Sequence, residues 1–176
     1  MKIVIVGCGR VGSVLAESYD AAGHEVVVLD PSTRAFDRLP VEFRGSAVRG
    51  DGTDEDTLRR AGAEGADIFL ALTEGDNRNV MAAQVAAEKL RIGKVVAKIN
   101  DPVRAAAYAE LGVATVCRTT MLADAISGFL GLAPSGVPSV IAPSNGHGGH
   151  GHTPLGDEAA ANRAGTMGAV ASDREG

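Results

Sequence analysis

Short apolar runs alternate with amphipathic stretches over residues 1–132. Ile3-Val4-Ile5-Val6, Val26-Val27-Val28-Leu29 and Ile68-Phe69-Leu70-Ala71-Leu72 are apolar at every position, which predicts strands buried on both faces rather than half-exposed ones. Ala47-Val48, Val95-Val96-Ala97 and Ala114-Thr115-Val116 are shorter runs of the same kind. Between them the apolar residues take helical spacing. Val11, Val14, Leu15 and Tyr19 predict a helix that Gly23 closes, and Pro31-Ser32 opens a short helix. Asp54 caps a further helix, Val80 to Leu90 forms a long Ala-rich one, and Asp101-Pro102 begins another. Repeated strand–helix–strand units require parallel crossovers, which are right-handed almost without exception.

Past Ala133 the pattern stops. Pro134, Pro138, Pro143 and Pro154 follow with many glycines, no aromatic residue, and the low-complexity run from Asn145 to His152. From Pro143 onward only Leu155, Met167 and Val170 could anchor anything, too little apolar surface to offset the entropy of ordering the chain. The expected organisation is a folded domain over 1–132 and a disordered Gly/Pro/His tail over 133–176. His147, His150 and His152 suit incidental affinity for a transition metal rather than a specific site, since a glycine background supplies nothing to orient them.

Composition narrows the function classes. With 3% aromatics and no Trp, the core has to be built from Val, Ile, Leu and Ala. A formal charge of -5 argues against a nucleic-acid binder held by phosphate contacts. Cys8 and Cys117 make neither a disulfide framework nor a zinc pattern. No signal-peptide pattern opens the sequence, and no apolar run reaches the roughly 18 residues of a membrane span. The expectation is a cytoplasmic, reduced protein whose link to any membrane runs through a partner.

Gly7-Cys8-Gly9-Arg10-Val11-Gly12 fits G-x-G-x-x-G between a buried strand and an amphipathic helix, and Asp30 ends the next strand 18 residues after Gly12. In that context the glycines serve a dinucleotide: Gly7 for the tight turn, Gly9 for close approach of a pyrophosphate, Gly12 for helix–strand packing. The helix N-terminus adds unpaired N–H groups, and Arg10 can add a charge. Asp30 is placed to accept from ribose hydroxyls, which disfavours a 2′-phosphate, although Arg34 nearby softens that argument. Asp30-Pro31 also makes a good turn. The fold class expected is therefore α/β, a Rossmann-type doubly wound parallel six-stranded sheet of order 3-2-1-4-5-6 with a C-terminal crossover helix. Asp51, after the third strand, can reach the adenine or ribose edge. Thr73 and Glu74, after the fourth, can line the phosphates or the distal nucleoside. Lys98, at the end of the fifth, points to the phosphate side. Capping is the alternative reading for Thr73, Asp76 and Asp54, and a solvated strand-end lysine for Lys98.

Together with Gly23-His24-Glu25-Val26, Gly50-Asp51-Gly52-Thr53, Ala61-Gly62-Ala63, Ala66-Asp67, Ala71-Leu72-Thr73, Asp76-Asn77, Asn79 and Lys98 before Asn100, the glycine loop resembles the nucleotide-binding RCK domain (regulator of K⁺ conductance), also called the KTN or TrkA-N domain, from Met1 to about Leu130. The resemblance implies a cytoplasmic regulatory subunit of a Trk- or Ktr-type potassium transporter or channel, peripheral at the inner face of the membrane through that partner. It implies NAD(H), or ATP/ADP, as ligand, and assembly as dimers and higher rings, with a second RCK subunit able to supply the ligand-binding subdomain into which most members continue. The positions it carries over are Gly7 to Gly12, Asp30, Asp51, Thr73, Glu74 and Lys98. Cys8 stands where alanine is common.

Two other classes stay open, an NAD-dependent oxidoreductase and a bare interaction module with a vestigial site. Hydride transfer needs an acid/base group, and His24, the one histidine before the tail, falls in the turn before the second strand, far from the ligand side. A last helix, capped by Thr119-Thr120, carries Leu122, Ile126, Phe129 and Leu130 on one arc with nothing after it to cover them. That predicts oligomerisation through this helix.

Overall fold

A computed structural model describes residues 1–142 of the chain. Its elements run β1 (Lys2–Val6), α1 (Arg10–Ala21), β2 (Glu25–Asp30), a 3-10 helix (Thr33–Arg38), β3 (Ser46–Arg49), α2 (Glu55–Arg60), β4 (Ile68–Ala71), α3 (Asp76–Gln84) continuing into a π-helical turn (Val85–Lys89), β5 (Lys94–Ile99), α4 (Pro102–Glu110), β6 (Ala114–Cys117), α5 (Arg118–Phe129) and β7 (Val140–Ile141). The strands stand in the order β3-β2-β1-β4-β5-β6-β7. Every pair from β3 to β6 is parallel, with Val4 of β1 opposite both Val27 of β2 and Phe69 of β4.

All-apolar strands are required because helices cover both faces. On one face Val4, Val6, Leu29, Phe69 and Ile99 pack with Leu58 of α2, Val80 of α3 and Ala105 of α4. On the other, Ile3, Ile5, Val28 and Leu70 pack with Ala16 of α1 and Ala35 of the 3-10 helix. Each such large side chain contributes about 1.5–3 kcal/mol by leaving water. The chain turns outward in opposite directions from β1, to β2 on one side and to β4 on the other. Their C-terminal ends thus open a crevice at the switch point, where ligands bind in open α/β sheets.

The expected doubly wound order holds, and the sheet gains a seventh strand beyond the six expected. Val140–Ile141 pairs antiparallel with β6 through Val116↔Val140, and the Cys117 N–H donates to the Ser139 carbonyl at 2.7 Å. The boundary expected after residue 132 falls short of this strand. The rest of the expected tail, 143–176, lies outside the described residues. The Ala-rich helix starts at Asp76, four residues before the expected Val80. Helix α5 begins at Arg118, so Thr119 and Thr120 sit inside its first turn and do not cap it. Their hydroxyls donate, Thr119 to the Asn100 carbonyl and Thr120 to that of Cys117. Thr120 is the one buried residue of α5, while Leu122, Ile126, Phe129 and Leu130 face solvent. No helix among the described residues is long and apolar enough to cross a membrane.

Candidate nucleotide site

The glycine loop joins β1 to α1 at the crevice. Gly7 takes φ +104°, a left-handed conformation in which a side chain is strained, and a Cβ there would stand 2.8 Å from the Thr73 nitrogen. A Cβ on Gly12 would run into the Gly7 carbonyl oxygen, so helix and loop touch only because Gly12 has none. Above Gly9 the space is open, with nothing within 4 Å of a Cβ position. Gly9 is also the N-cap of α1 and offers no side-chain cap. The first-turn N–H groups of a 12-residue helix thus stand ready for an anion.

Asp30 closes one end of the cleft. Its Oδ2 accepts from the Cys8 N–H at 2.9 Å and its Oδ1 from the Ser32 N–H at 2.9 Å. The two bonds lock the carboxylate onto the glycine loop and leave each oxygen a lone pair for a diol. The Cys8 thiol is fully buried, and burial first, then the Asp30 charge, raises its pKa above the ordinary 9.0. It stays protonated, the opposite of what a reactive thiol needs.

Across the crevice the β4–α3 loop is held by Asn79, which is fully buried. Its Oδ1 accepts from the Thr73 N–H (2.8 Å) and hydroxyl (2.6 Å), and its Nδ2 donates to the carbonyls of Thr73 (3.0 Å) and Lys98 (2.7 Å). Asp76 does not cap α3, whose N-cap is Gly75. Its carboxylate reaches the next loop instead, accepting from Asn100 N–H and Nδ2 and from Asp101 N–H. Of the residues with a capping alternative, Asp54 caps, accepting from Thr57 N–H at 2.8 Å.

These pieces enclose a cleft of about 720 Å³, the size of a small-molecule site. Gly7, Cys8, Gly9, Asp30, Thr73 and Glu74 line it, while Arg10, Val11 and Gly12 support it from the first turn of α1. Two further expected residues, Asp51 and Lys98, also lie outside the lining. Asp51 folds back on its own turn, its Oδ1 accepting from Thr53 N–H (3.0 Å) and Thr53 hydroxyl (2.9 Å). Those bonds, foremost the backbone one, with Arg78 assisting, lower its pKa below 3.8. Lys98 is buried at the end of β5, outside the cleft lining. Arg38 and Arg78 do line the cleft and were not singled out. Arg38 was legible in principle, because residues three apart eclipse on a 3-10 helix and Ala35 is its buried position. For Arg78 the sequence carried no signal beyond proximity to Asp76-Asn77. His24 lies at the opposite end of the sheet, beside a separate cavity of about 380 Å³ with Asp20 and Arg44.

The sequence profile described as TrkA-N domain matches residues 3–119. The Trk system potassium uptake protein TrkA of Streptomyces coelicolor is 47% identical over 136 residues, covering 77% of this chain and 60% of that protein. The TrkA homolog of Methanothermobacter thermautotrophicus is 31% identical over 113 residues, covering 64% of this chain and 52% of that one. The chain thus spans between half and two thirds of the length of these relatives. Among solved structures, the TrkA-N domain of inner membrane protein ybaL from Escherichia coli superposes with a TM-score of 0.66 at 25% identity, over 73% of this chain and 96% of that one. The profile match takes in the glycine loop, Asp30, Thr73 and the buried Asn79 alike, and by it the chain belongs to the TrkA-N domain family.

Proposed function

We propose that the cleft binds NAD(H), or an adenine nucleotide such as ADP or ATP, and that the chain is the nucleotide-sensing part of a cytoplasmic regulatory subunit of a potassium uptake system. The observation that carries this reading is the lock between Asp30 and the glycine loop. One carboxylate is fixed by the Cys8 and Ser32 N–H groups beside an uncapped helix N-terminus, a pairing of diol acceptor and diphosphate cradle that a mere turn does not need. Glu74 and Thr73 face the distal part of the ligand, and Arg38 and Arg78 add positive charge at the walls. The names of the relatives support a Trk- or Ktr-type membrane transporter or channel subunit as partner.

The role is sensing rather than chemistry. The buried thiol is held protonated, and the ribose carboxylate is engaged by two backbone N–H groups. The exposed apolar arc of α5 supports a homodimer or higher ring, with a second RCK subunit as an alternative neighbour. Thermal unfolding with NAD, NADH, ADP and ATP at millimolar concentration tests the reading. At least one should raise the melting temperature by several degrees through its preference for the folded state. No shift with any of the four would contradict it.

A further inference from the structure

Arg10, the residue expected to bring positive charge to the phosphates, opens α1 outside the cleft lining. Arg38 lines the cleft instead. It ends the 3-10 helix Thr33–Arg38 that follows β2. Such a helix has three residues per turn, so residues 35 and 38 lie on one line along it. Ala35 is buried against Cys8, Ile5 and Val28, on the face of the sheet that Ala16 of α1 also covers. It lines the cleft wall as well, and Arg38 continues that wall one turn further on. The Arg38 charge reaches the Cys8 thiol, where it partly offsets the upward effect of burial and of Asp30. Arg38 therefore stands beside the glycine loop, on the same face as α1.

Its guanidinium is not committed elsewhere. Among the described residues Arg38 enters no ion pair. Its one hydrogen bond is a long one, 3.5 Å, from Nη1 to the Ala35 carbonyl of its own helix. The nearby Asp30 carboxylate is held by the N–H groups of Cys8 and Ser32. Arg78, the other arginine of the lining, differs, since its charge acts on Asp51 and helps hold that carboxyl low. A guanidinium offers a planar fork of donors that matches two oxygens of a phosphate. On the wall beyond β4 stands Glu74, which repels phosphate and favours its placement on the Arg38 side.

We propose that Arg38 is a specificity-determining residue of the cleft, pairing with the diphosphate of the bound nucleotide from the α1 side of the sheet. This rests on the function proposed above. Asp30 and Arg38 then read the two parts of the ADP unit that NAD, ADP and ATP share, the ribose diol and the diphosphate. Arg38 selects these ligands over nucleosides and treats the three alike. The 3-10 geometry is what aims the side chain, because it sets residue 38 in line with the buried Ala35. A 2′-phosphate is the other group that an arginine near a ribose carboxylate can take. The position of Arg38 beside Cys8, within the glycine loop, favours the diphosphate.

The test is calorimetry on the full chain with ADP, NAD, NADP and adenosine, for the wild type, Arg38→Met, Arg38→Lys and Arg34→Met. Adenosine is measured by its displacement of ADP. Arg38→Met should weaken ADP and NAD by a similar factor, about tenfold, and adenosine less than about twofold. Arg38→Lys keeps the charge without the fork and should recover part of the loss. Arg34 lies on the same 3-10 helix outside the cleft lining, so Arg34→Met removes an equal charge and should change each ligand less than about twofold. Arg38 is exposed, and Arg38→Met should melt within a few degrees of the wild type; if it does not, Arg38→Gln makes the same comparison. Equal losses in Arg38→Met and Arg34→Met would reduce the effect to a distant field and overturn the proposal. Equal loss of adenosine and ADP would put Arg38 on the nucleoside, and a loss confined to NADP would put it on a 2′-phosphate; either overturns it. Unchanged ADP and NAD affinity in Arg38→Met overturns it while leaving the cleft reading intact. A wild type that binds no nucleotide overturns both.

Discussion

Replacing Asn79 by alanine is the sharpest structural perturbation of the cleft. The side chain makes four hydrogen bonds at 2.6–3.0 Å, three to Thr73 and one to the Lys98 carbonyl. Truncation removes all four, but the costs differ. The Lys98 carbonyl is buried and loses its partner outright, at about 1–3 kcal/mol. The Thr73 groups line an open cleft and recover part of their bonding from water, so they add about 1 kcal/mol more. The total, about 2–4 kcal/mol, lowers the melting temperature of a domain of this size by roughly 6–15 °C. Asn79→Asp separates geometry from volume. It keeps the acceptor for Thr73 but turns an oxygen toward two carbonyls, and should be at least as destabilising as alanine. Thermal and urea unfolding of the three proteins measure this. A loss below about 1 kcal/mol in both variants would refute the view that Asn79 ties the ends of β4 and β5.

Three further outcomes follow from other parts of the molecule. Gly12→Ala forces a Cβ against the Gly7 carbonyl and should cost about 1–3 kcal/mol of stability and most nucleotide affinity; unchanged affinity by calorimetry would show that the loop tolerates the shift. Phe129 is 91% exposed on the arc of α5. Phe129→Asp with Ile126→Asp should turn a wild-type oligomer into a folded monomer, lowering the melting temperature only by what association contributes, and light scattering that finds the wild type already monomeric on the order of tens of micromolar would remove the basis for this. Because Thr53 depresses the Asp51 pKa below 3.8, Asp51 stabilises the fold above that pH and loses its contribution as pH falls through the depressed value. Asp51→Asn should be less stable than wild type at neutral pH, the gap closing in acid; a gap independent of pH in denaturant unfolding would contradict the assignment.

The strands and the glycine loop were legible because their physics is local. A strand buried on both faces must be apolar throughout, and a helix that touches a turn needs a glycine at Gly12. Features that depend on a distant partner were not. Val140–Ile141 is only two apolar residues among prolines and glycines, and becomes a strand because β6 offers an unpaired edge. Thr119 and Thr120 resemble caps, yet the Asn100 and Cys117 carbonyls draw their hydroxyls into donation. Asp51 is near the ligand side of the sheet, but Thr53, two residues on, captures its carboxylate. For Lys98 the strand end was evident and its lack of a partner was not, since that depends on where Arg118, Asp76 and Asn100 stand. Asn79 was recognisable as part of a motif, but its role as a knot between two strand ends emerges only when β4 and β5 lie side by side.

The central claim is that Asp30 reads the ribose of a bound nucleotide, and calorimetry on Asp30→Ala tests it most directly. NAD, ADP and ATP all carry the diol, so the substitution should weaken each by about 1.5–3 kcal/mol, roughly ten- to hundredfold. A melting curve separates this from the loss of its bonds to Cys8 and Ser32. In the wild type, NADP should bind more weakly than NAD, because its 2′-phosphate meets the Asp30 carboxylate. Affinities for NAD, ADP and ATP that do not change in Asp30→Ala, or NADP as the tightest ligand of the wild type, would contradict the account.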